Sequence, residues 1–302
     1  MLDKLSISDK LTLQKMLAFL IVTVIALTLK DRPTVYFIVT VTIGYGHFLL
    51  GGLYKLSSRS KVPLMNLIFL VGLGSVLYYF FSYGYQVVAR GNLLLAVVYI
   101  FAAFHAVTDD QFTGNFFKSK YTNSQIFGCL ALLSLLFAVS FYRFYPKIFA
   151  PILLFAGLFF SLLYVYACLL DGLKLANYWI IFQIITVFIV MDMNLNIPFI
   201  YFFIGSYHVI LFYMHYFLKI ASIEKPKNLL HSKKGYLITA VLANVSIVAL
   251  YISTIHFHIK GMDFLFSLNF YLIVNLLHFI SSTRFYEFRE FFKGSQSLVK
   301  LK

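Results

Sequence analysis

Ten apolar runs of about 17 to 24 residues follow one another along this chain and constrain its fold more than any other feature. A helix of that length crosses the hydrocarbon core of a bilayer. Only 12% of the residues are charged, where a soluble domain has about a quarter. The sequence therefore predicts an all-α, polytopic membrane helical bundle, a single integral membrane domain over 1–302. The predicted helices span 14–30, 33–54, 63–84, 92–112, 126–143, 148–170, 175–194, 197–219, 236–257 and 264–283.

Lysine and arginine predict the orientation of these helices. With ten crossings, the two ends of the chain and four alternate connectors lie on one side and carry 19 of the 25 basic residues, and the other side carries 6. Because cytoplasmic connectors are enriched in Lys and Arg, both termini are predicted to be cytoplasmic, as a short amino-terminal segment 1–13 and a tail 285–302. The predicted location is the plasma (inner) membrane, crossed many times.

The net charge of +14 raises the question of partners. The basic residues are divided among short connectors rather than gathered on one face, which is typical of contact with anionic membrane lipids. A nucleic-acid-binding surface needs a clustered basic patch. Membrane lipids are therefore predicted partners, and nucleic acid is not.

Four histidines lie inside apolar helices that run in the same predicted direction. They are His47, His105, His208 and His278, on the second, fourth, eighth and tenth helices. Each comes 6 to 13 residues before the first basic residue at the inner end, which places all four in one slab of the bilayer. An imidazole in hydrocarbon is costly unless its nitrogens find partners. Four at one depth predict a shared partner, a metal ion.

The other histidines do not fit this slab. His231 lies in a cytoplasmic loop, and His256 and His258 lie at the outer end of the ninth helix. They are excluded from the predicted site.

Neutral imidazole suits iron, zinc or copper, and four nitrogens leave an iron ion one or two open positions. A ligating histidine needs an acceptor that orients its second ring nitrogen. The candidates for such a supporting role are Asp109, Asp110, Tyr45, Tyr207 and His215. For the two aspartates the alternative interpretation is a solvated inner end of the fourth helix. His215 lies two turns from His208 on the same face, where a simple interfacial histidine is the alternative.

A short repeat relates the two halves of the chain. Residues 43–50 (IGYGHFLL) match residues 204–211 (IGSYHVIL) at Ile, Gly, His and Leu. In both halves the next histidine-bearing helix comes two helices later. The match predicts a parallel internal repeat that brings the four histidines around one axis.

Aromatic residues make up 19% of the chain, with 35 Phe and 22 Tyr. Aromatic walls suit a flat, conjugated, lipophilic substrate that enters from the bilayer. The alternative explanation is the codon usage of an AT-rich genome.

The histidine motifs resemble those of the Brp/Blh family of membrane β-carotene 15,15'-dioxygenases. The resemblance spans about residues 40–285 and rests on Gly44 with His47, His105 with Asp110, His208, and His278. It implies Fe2+ on four histidines, with Asp110 orienting one of them. It also implies that both atoms of O2 are inserted across the central double bond of a carotenoid-like polyene, giving retinal. Four residues after His208, where the family often has another histidine, this chain has Phe212.

Other membrane functions remain open at this point. One is a multi-pass transporter with histidine proton relays, although matched pairs of Gly/Pro-broken helices are missing from the sequence. Another is a membrane protein with a structural or zinc-binding histidine cluster. A b-type cytochrome is disfavoured because no helix carries two histidines 13 or 14 residues apart.

Overall fold

Helices account for nearly all of the residues that the structure describes. The structure is a computed structural model, and it describes residues 7–57, 64–83, 87–112, 122–144, 149–192, 197–221, 232–257 and 262–282. Within these ranges the elements are α1 (Ile7–Leu29), α2 (Pro33–Ser57), α3 (Leu64–Ser82), α4 (Val87–Phe112), α5 (Asn123–Phe144), α6 (Phe149–Asp171), α7 (Leu175–Asp192), α8 (Ile197–Ala221), α9 (Lys233–His256), a 3-10 helix (Asp263–Phe266) and α10 (Leu268–Ser282). These ranges contain no strand, so the all-α prediction is confirmed.

Six segments of the described helices are long and apolar enough to cross a membrane. They are Asp9–Leu29, Pro33–Gly51, Asn123–Tyr142, Phe149–Asp171, Phe199–Leu218 and Lys233–His256. Four apolar segments are shorter, namely Val71–Ser82, Leu93–Val107, Leu175–Met191 and Leu268–Phe279. The long apolar helices indicate a membrane protein. The count of ten crossings and the internal repeat stay predictions.

Three helices begin more than three residues from the predicted start, and one of them, α4, begins at Val87 rather than at residue 92. Helix α1 begins at Ile7 rather than at residue 14, because no glycine or proline interrupts residues 7–29. Helix α10 begins at Leu268 rather than at residue 264. There the Ser267 side chain accepts a hydrogen bond from the Phe270 amide at 3.3 Å, so Ser267 acts as an N-cap and a 3-10 turn precedes it.

Hydroxyl side chains inside the apolar helices bond to their own backbone. Thr23, Thr40, Ser161 and Thr254 each donate to the carbonyl four residues earlier, at 2.7 to 2.9 Å. Lipid offers no water to satisfy such a group, and the i−4 carbonyl is the nearest acceptor on a helix. These residues therefore fit a spanning helix without needing a partner helix.

The described contacts divide the chain into two units. Unit 1 comprises Met1–Met16, Ala96–Tyr201 and Phe279–Lys302, and unit 2 comprises Leu17–Leu95 and Phe202–His278. Helices α1, α4, α8 and α10 contribute residues to both. The single domain over 1–302 stays a prediction.

In unit 1, α5 and α6 approach each other closely at a glycine. A methyl group on Gly157 of α6 would lie 2.6 Å from Cδ2 and 3.3 Å from the backbone nitrogen of Leu135 in α5. Leu135 is fully buried. The α5–α6 packing therefore requires a residue without a side chain at this position.

We expect Gly157→Ala to destabilise the protein by up to about 2 kcal/mol, and by about 1 to 3 kcal/mol relative to a helical Gly→Ala change whose methyl group meets no atom. Overpacking a core costs about 1 to 3 kcal/mol. The higher helix propensity of alanine relative to glycine offsets about 1 kcal/mol of that loss. Unfolding in mixed detergent micelles measures the difference. The control is Gly72→Ala in α3, where the added methyl meets no atom within 4 Å and should be neutral or stabilising. Equal stability of the two variants would contradict the close contact.

In unit 2, α2 lies against α8 and α10, and the three helices run parallel. The contacts that fix the direction are Thr40 with Ser206 (3.2 Å between hydroxyl oxygens) and His47 with Phe212 (4.0 Å between ring centroids) for α8, and Thr40 with Tyr271 (3.4 Å, hydroxyl to carbonyl) and His47 with His278 (3.4 Å between Nε2 atoms) for α10. Residue numbers rise together in each pair of helices. Residues two turns apart on α2, such as Thr40 and His47, therefore contact residues about two turns apart on α8 and on α10.

Candidate metal centre

Three imidazoles converge in unit 2, one from each of these parallel helices. His47 comes from α2, His208 from α8 and His278 from α10. One ligand nitrogen from each lies within 4.8 Å of the others, and no other metal-type group of three side chains occurs among the described residues. His47 is 3% exposed. Nitrogen donors at this spacing, drawn from three separate helices, form a candidate metal site.

The spacing fits a bound metal ion. An ion about 2.1 Å from two nitrogens holds them about 3.0 Å apart at a right angle and about 3.4 Å apart at a tetrahedral angle. The Nε2 atoms of His47 and His278 are 3.4 Å apart, beyond the roughly 2.7 to 3.2 Å of ordinary N–H hydrogen bonds. All three nitrogen pairs lie within 4.8 Å, and opposite ligands of one ion lie about 4.2 Å apart.

Comparison of the chain with protein-family models, with curated proteins and with solved structures gives no match.

Two phenylalanines pack on the histidine rings of the cluster. The Phe212 ring meets the His47 ring edge to face, with centroids 4.0 Å apart. The Phe48 ring lies 4.6 Å from the His278 ring at a tilt of 38°. Such contacts restrict rotation of the imidazoles and keep their surroundings apolar.

Phe212 and Phe48 were not predicted as site residues. The available signal was helical spacing, since Phe212 lies four residues after His208 and so shares its face. Phe48 follows His47 directly, and no spacing rule assigns it to His278.

His105 belongs to unit 1. It is buried in α4, and its ring lies 5.2 Å from that of Phe279. The cluster in unit 2 consists of His47, His208 and His278. Its role as a fourth ligand stays a prediction.

The predicted supporting residues have varied surroundings. The Tyr45 hydroxyl donates to the Leu265 carbonyl at 2.6 Å, so its described hydrogen bond is to backbone rather than to an imidazole. Tyr207 is buried, with its ring 6.3 Å from that of Phe19. The ring centroid of His215 lies 6.3 Å from that of Tyr216. Their supporting roles stay predictions.

The remaining polar candidates are only partly covered by the structure. Asp109 and Asp110 belong to α4, in a stretch whose side chains lie outside the described residues. His231 and His258 also lie outside them. His256 is exposed at the end of α9 and contacts the Phe257 ring.

Proposed function

We propose that this chain is a membrane-embedded non-haem iron oxygenase that cleaves a lipophilic polyene such as β-carotene to retinal. The observation that carries the proposal is the convergence of His47, His208 and His278 within an aromatic, apolar interior. In this proposal they hold Fe2+, with His105 as the fourth ligand predicted from the sequence. Both termini lie on the cytoplasmic side of the plasma membrane.

The chain's residues bind and shield the iron in this proposal. Three neutral imidazoles leave coordination positions open for O2. The phenyl rings of Phe48 and Phe212 exclude water from the ligand side and offer flat apolar surfaces to a conjugated substrate. When bound, iron supplies the oxidation by O2 in which the central C=C bond breaks and each carbon becomes an aldehyde. One polyene and one O2 give two aldehydes with no proton gained or lost, so no side chain has to act as an acid or base.

We expect protein purified in detergent to contain about one iron per chain, without the Soret absorption band of haem. Supplied with β-carotene and air, it should form retinal, and the anaerobic sample should not. Elemental analysis and chromatography of the products measure both. Zinc in place of iron would favour a zinc-binding histidine cluster instead. Protein that binds neither metal would contradict the proposal.

A further inference from the structure

Two glycines precede His47 in α2, in the sequence Gly44-Tyr45-Gly46-His47. A glycine inside a helix costs about 1 kcal/mol relative to alanine, so a structural use is expected at each. Their neighbours differ. Gly44 faces α10, and Gly46 faces α8 and α9.

Gly44 receives the side chain of Tyr271 from α10. A methyl group on Gly44 would lie 2.8 Å from the Tyr271 hydroxyl oxygen and 3.1 Å from Cε2, where ordinary contact begins near 3.4 Å. The same hydroxyl donates to the Thr40 carbonyl of α2 at 3.4 Å. Tyr271 is 1% exposed, so its ring has little room to withdraw. The Tyr271 phenol thus occupies the space that a side chain on residue 44 would need.

Gly46 receives the ends of two side chains. A methyl group there would lie 2.5 Å from Oδ1 of Asn244 in α9 and 2.9 Å from the Tyr213 hydroxyl of α8. That hydroxyl donates to the Ile43 carbonyl at 3.4 Å and accepts from Asn244 Nδ2 at 3.0 Å. Ile43 is also the residue whose carbonyl pairs with the His47 amide in a regular α-helix.

The two tyrosines come from the helices that bear the other two histidines. Tyr271 precedes His278 by seven residues on α10, which puts both on one helical face. Tyr213 follows His208 by five residues on α8. Each glycine of α2 therefore contacts a tyrosine from one of the two helices that carry the other histidines of the cluster.

We propose that Gly44 and Gly46 are positioning residues that set the spacing of the three ligating imidazoles. Each glycine leaves a space, here called a socket, that holds a tyrosine of a neighbouring helix: Tyr271 at Gly44 and Tyr213 at Gly46. This inference rests on the proposed metal site. Ligand distances in metal sites are held to about 0.2 Å. A methyl group on Gly44 overlaps Tyr271 by 0.6 Å, the difference between 3.4 and 2.8 Å. A shift of α10 by that amount displaces His278 beyond the tolerance.

The test uses Co2+, whose visible absorption reports ligand geometry, added to metal-free protein. We expect Gly44→Ala to weaken Co2+ binding about 10- to 100-fold, the usual cost of disturbing the support of a ligand, and to change the absorption bands. Adding Tyr271→Phe removes the closest atom, so the double variant Gly44→Ala/Tyr271→Phe should regain affinity and spectrum in part. A merely structural loss would not restore the spectrum in this way.

Matched control glycines exist on α2 and α8. Gly51 of α2 and Gly205 of α8 have no atom within 4 Å of an added methyl group, and Gly205 precedes His208 by three residues, as Gly44 precedes His47. Gly51→Ala and Gly205→Ala should bind Co2+ with the wild-type affinity and spectrum.

The outcomes separate the two proposals. If the wild type binds Co2+ and Gly44→Ala binds it with the same affinity and spectrum, the sockets are wrong and the metal site stands. If the wild type binds no metal, the proposed function is wrong, and the sockets are judged by thermal unfolding of the metal-free protein. In that experiment, a decrease in the thermal stability of Gly44→Ala that the added Tyr271→Phe change does not reduce would overturn the sockets.

Discussion

His47→Ala, His208→Ala and His278→Ala should each reduce the affinity for iron more than 100-fold. Loss of a group that only supports a ligand costs about 10- to 100-fold, and each of these changes removes a ligand itself. Because the three nitrogens lie within 4.8 Å of one another, no variant leaves more than two of them at the site. Iron content of the purified variants measures the effect, and retinal formation should fall with it.

The control for this series is His256→Ala, since His256 is exposed at the end of α9. It should keep wild-type iron and activity. His105→Ala belongs in the same experiment, because the sequence predicts it as a ligand. An equal loss in His105→Ala would identify a fourth ligand. Full iron content in any one of the three cluster variants would contradict the site.

Removal of the metal should destabilise the wild type by about 4 kcal/mol when the metal was present at about a thousand times its dissociation constant. The reason is linkage. In the proposed site the ion binds only the folded arrangement of α2, α8 and α10, so its binding free energy would add to the free energy of unfolding. Unfolding in mixed micelles, with and without a chelator, measures the difference.

The His278→Ala variant tests whether that stabilisation comes from this cluster. The chelator should leave its free energy of unfolding unchanged, because the site is already lost. A chelator effect of equal size in the variant and the wild type would place the stabilising ion elsewhere.

Helix positions were predictable because the length of an apolar run is a local property of the sequence. All ten described α-helices begin within seven residues of the predicted start. Helix α10 begins four residues late because Ser267 supplies a cap that the hydropathy pattern does not encode. The same reasoning predicted His47, His208 and His278 at one depth, and the structure brings these three together; their role as metal ligands stays a prediction. The role of His105 stays a prediction.

Contacts between helices were not predictable in this way. The repeat aligns Gly44 with Gly205, yet Gly44 contacts Tyr271 whereas an added methyl on Gly205 meets no atom within 4 Å. Whether a glycine serves as a socket depends on which helix lies opposite it, and that is a tertiary property. For the same reason, the contact of Phe212 with His47 required the structure.

The origin of the three imidazoles also fixes when a metal can enter. His47 and His278 are separated by 231 residues, and α10 is the last helix of the described chain. Synthesis proceeds from the amino terminus onward, so a nascent chain carries at most two members of the cluster until α10 has been made. A metal ion held by all three histidines, as proposed, would therefore bind only after α10 has been synthesised, and it would have to reach the cluster through helices that are already in place.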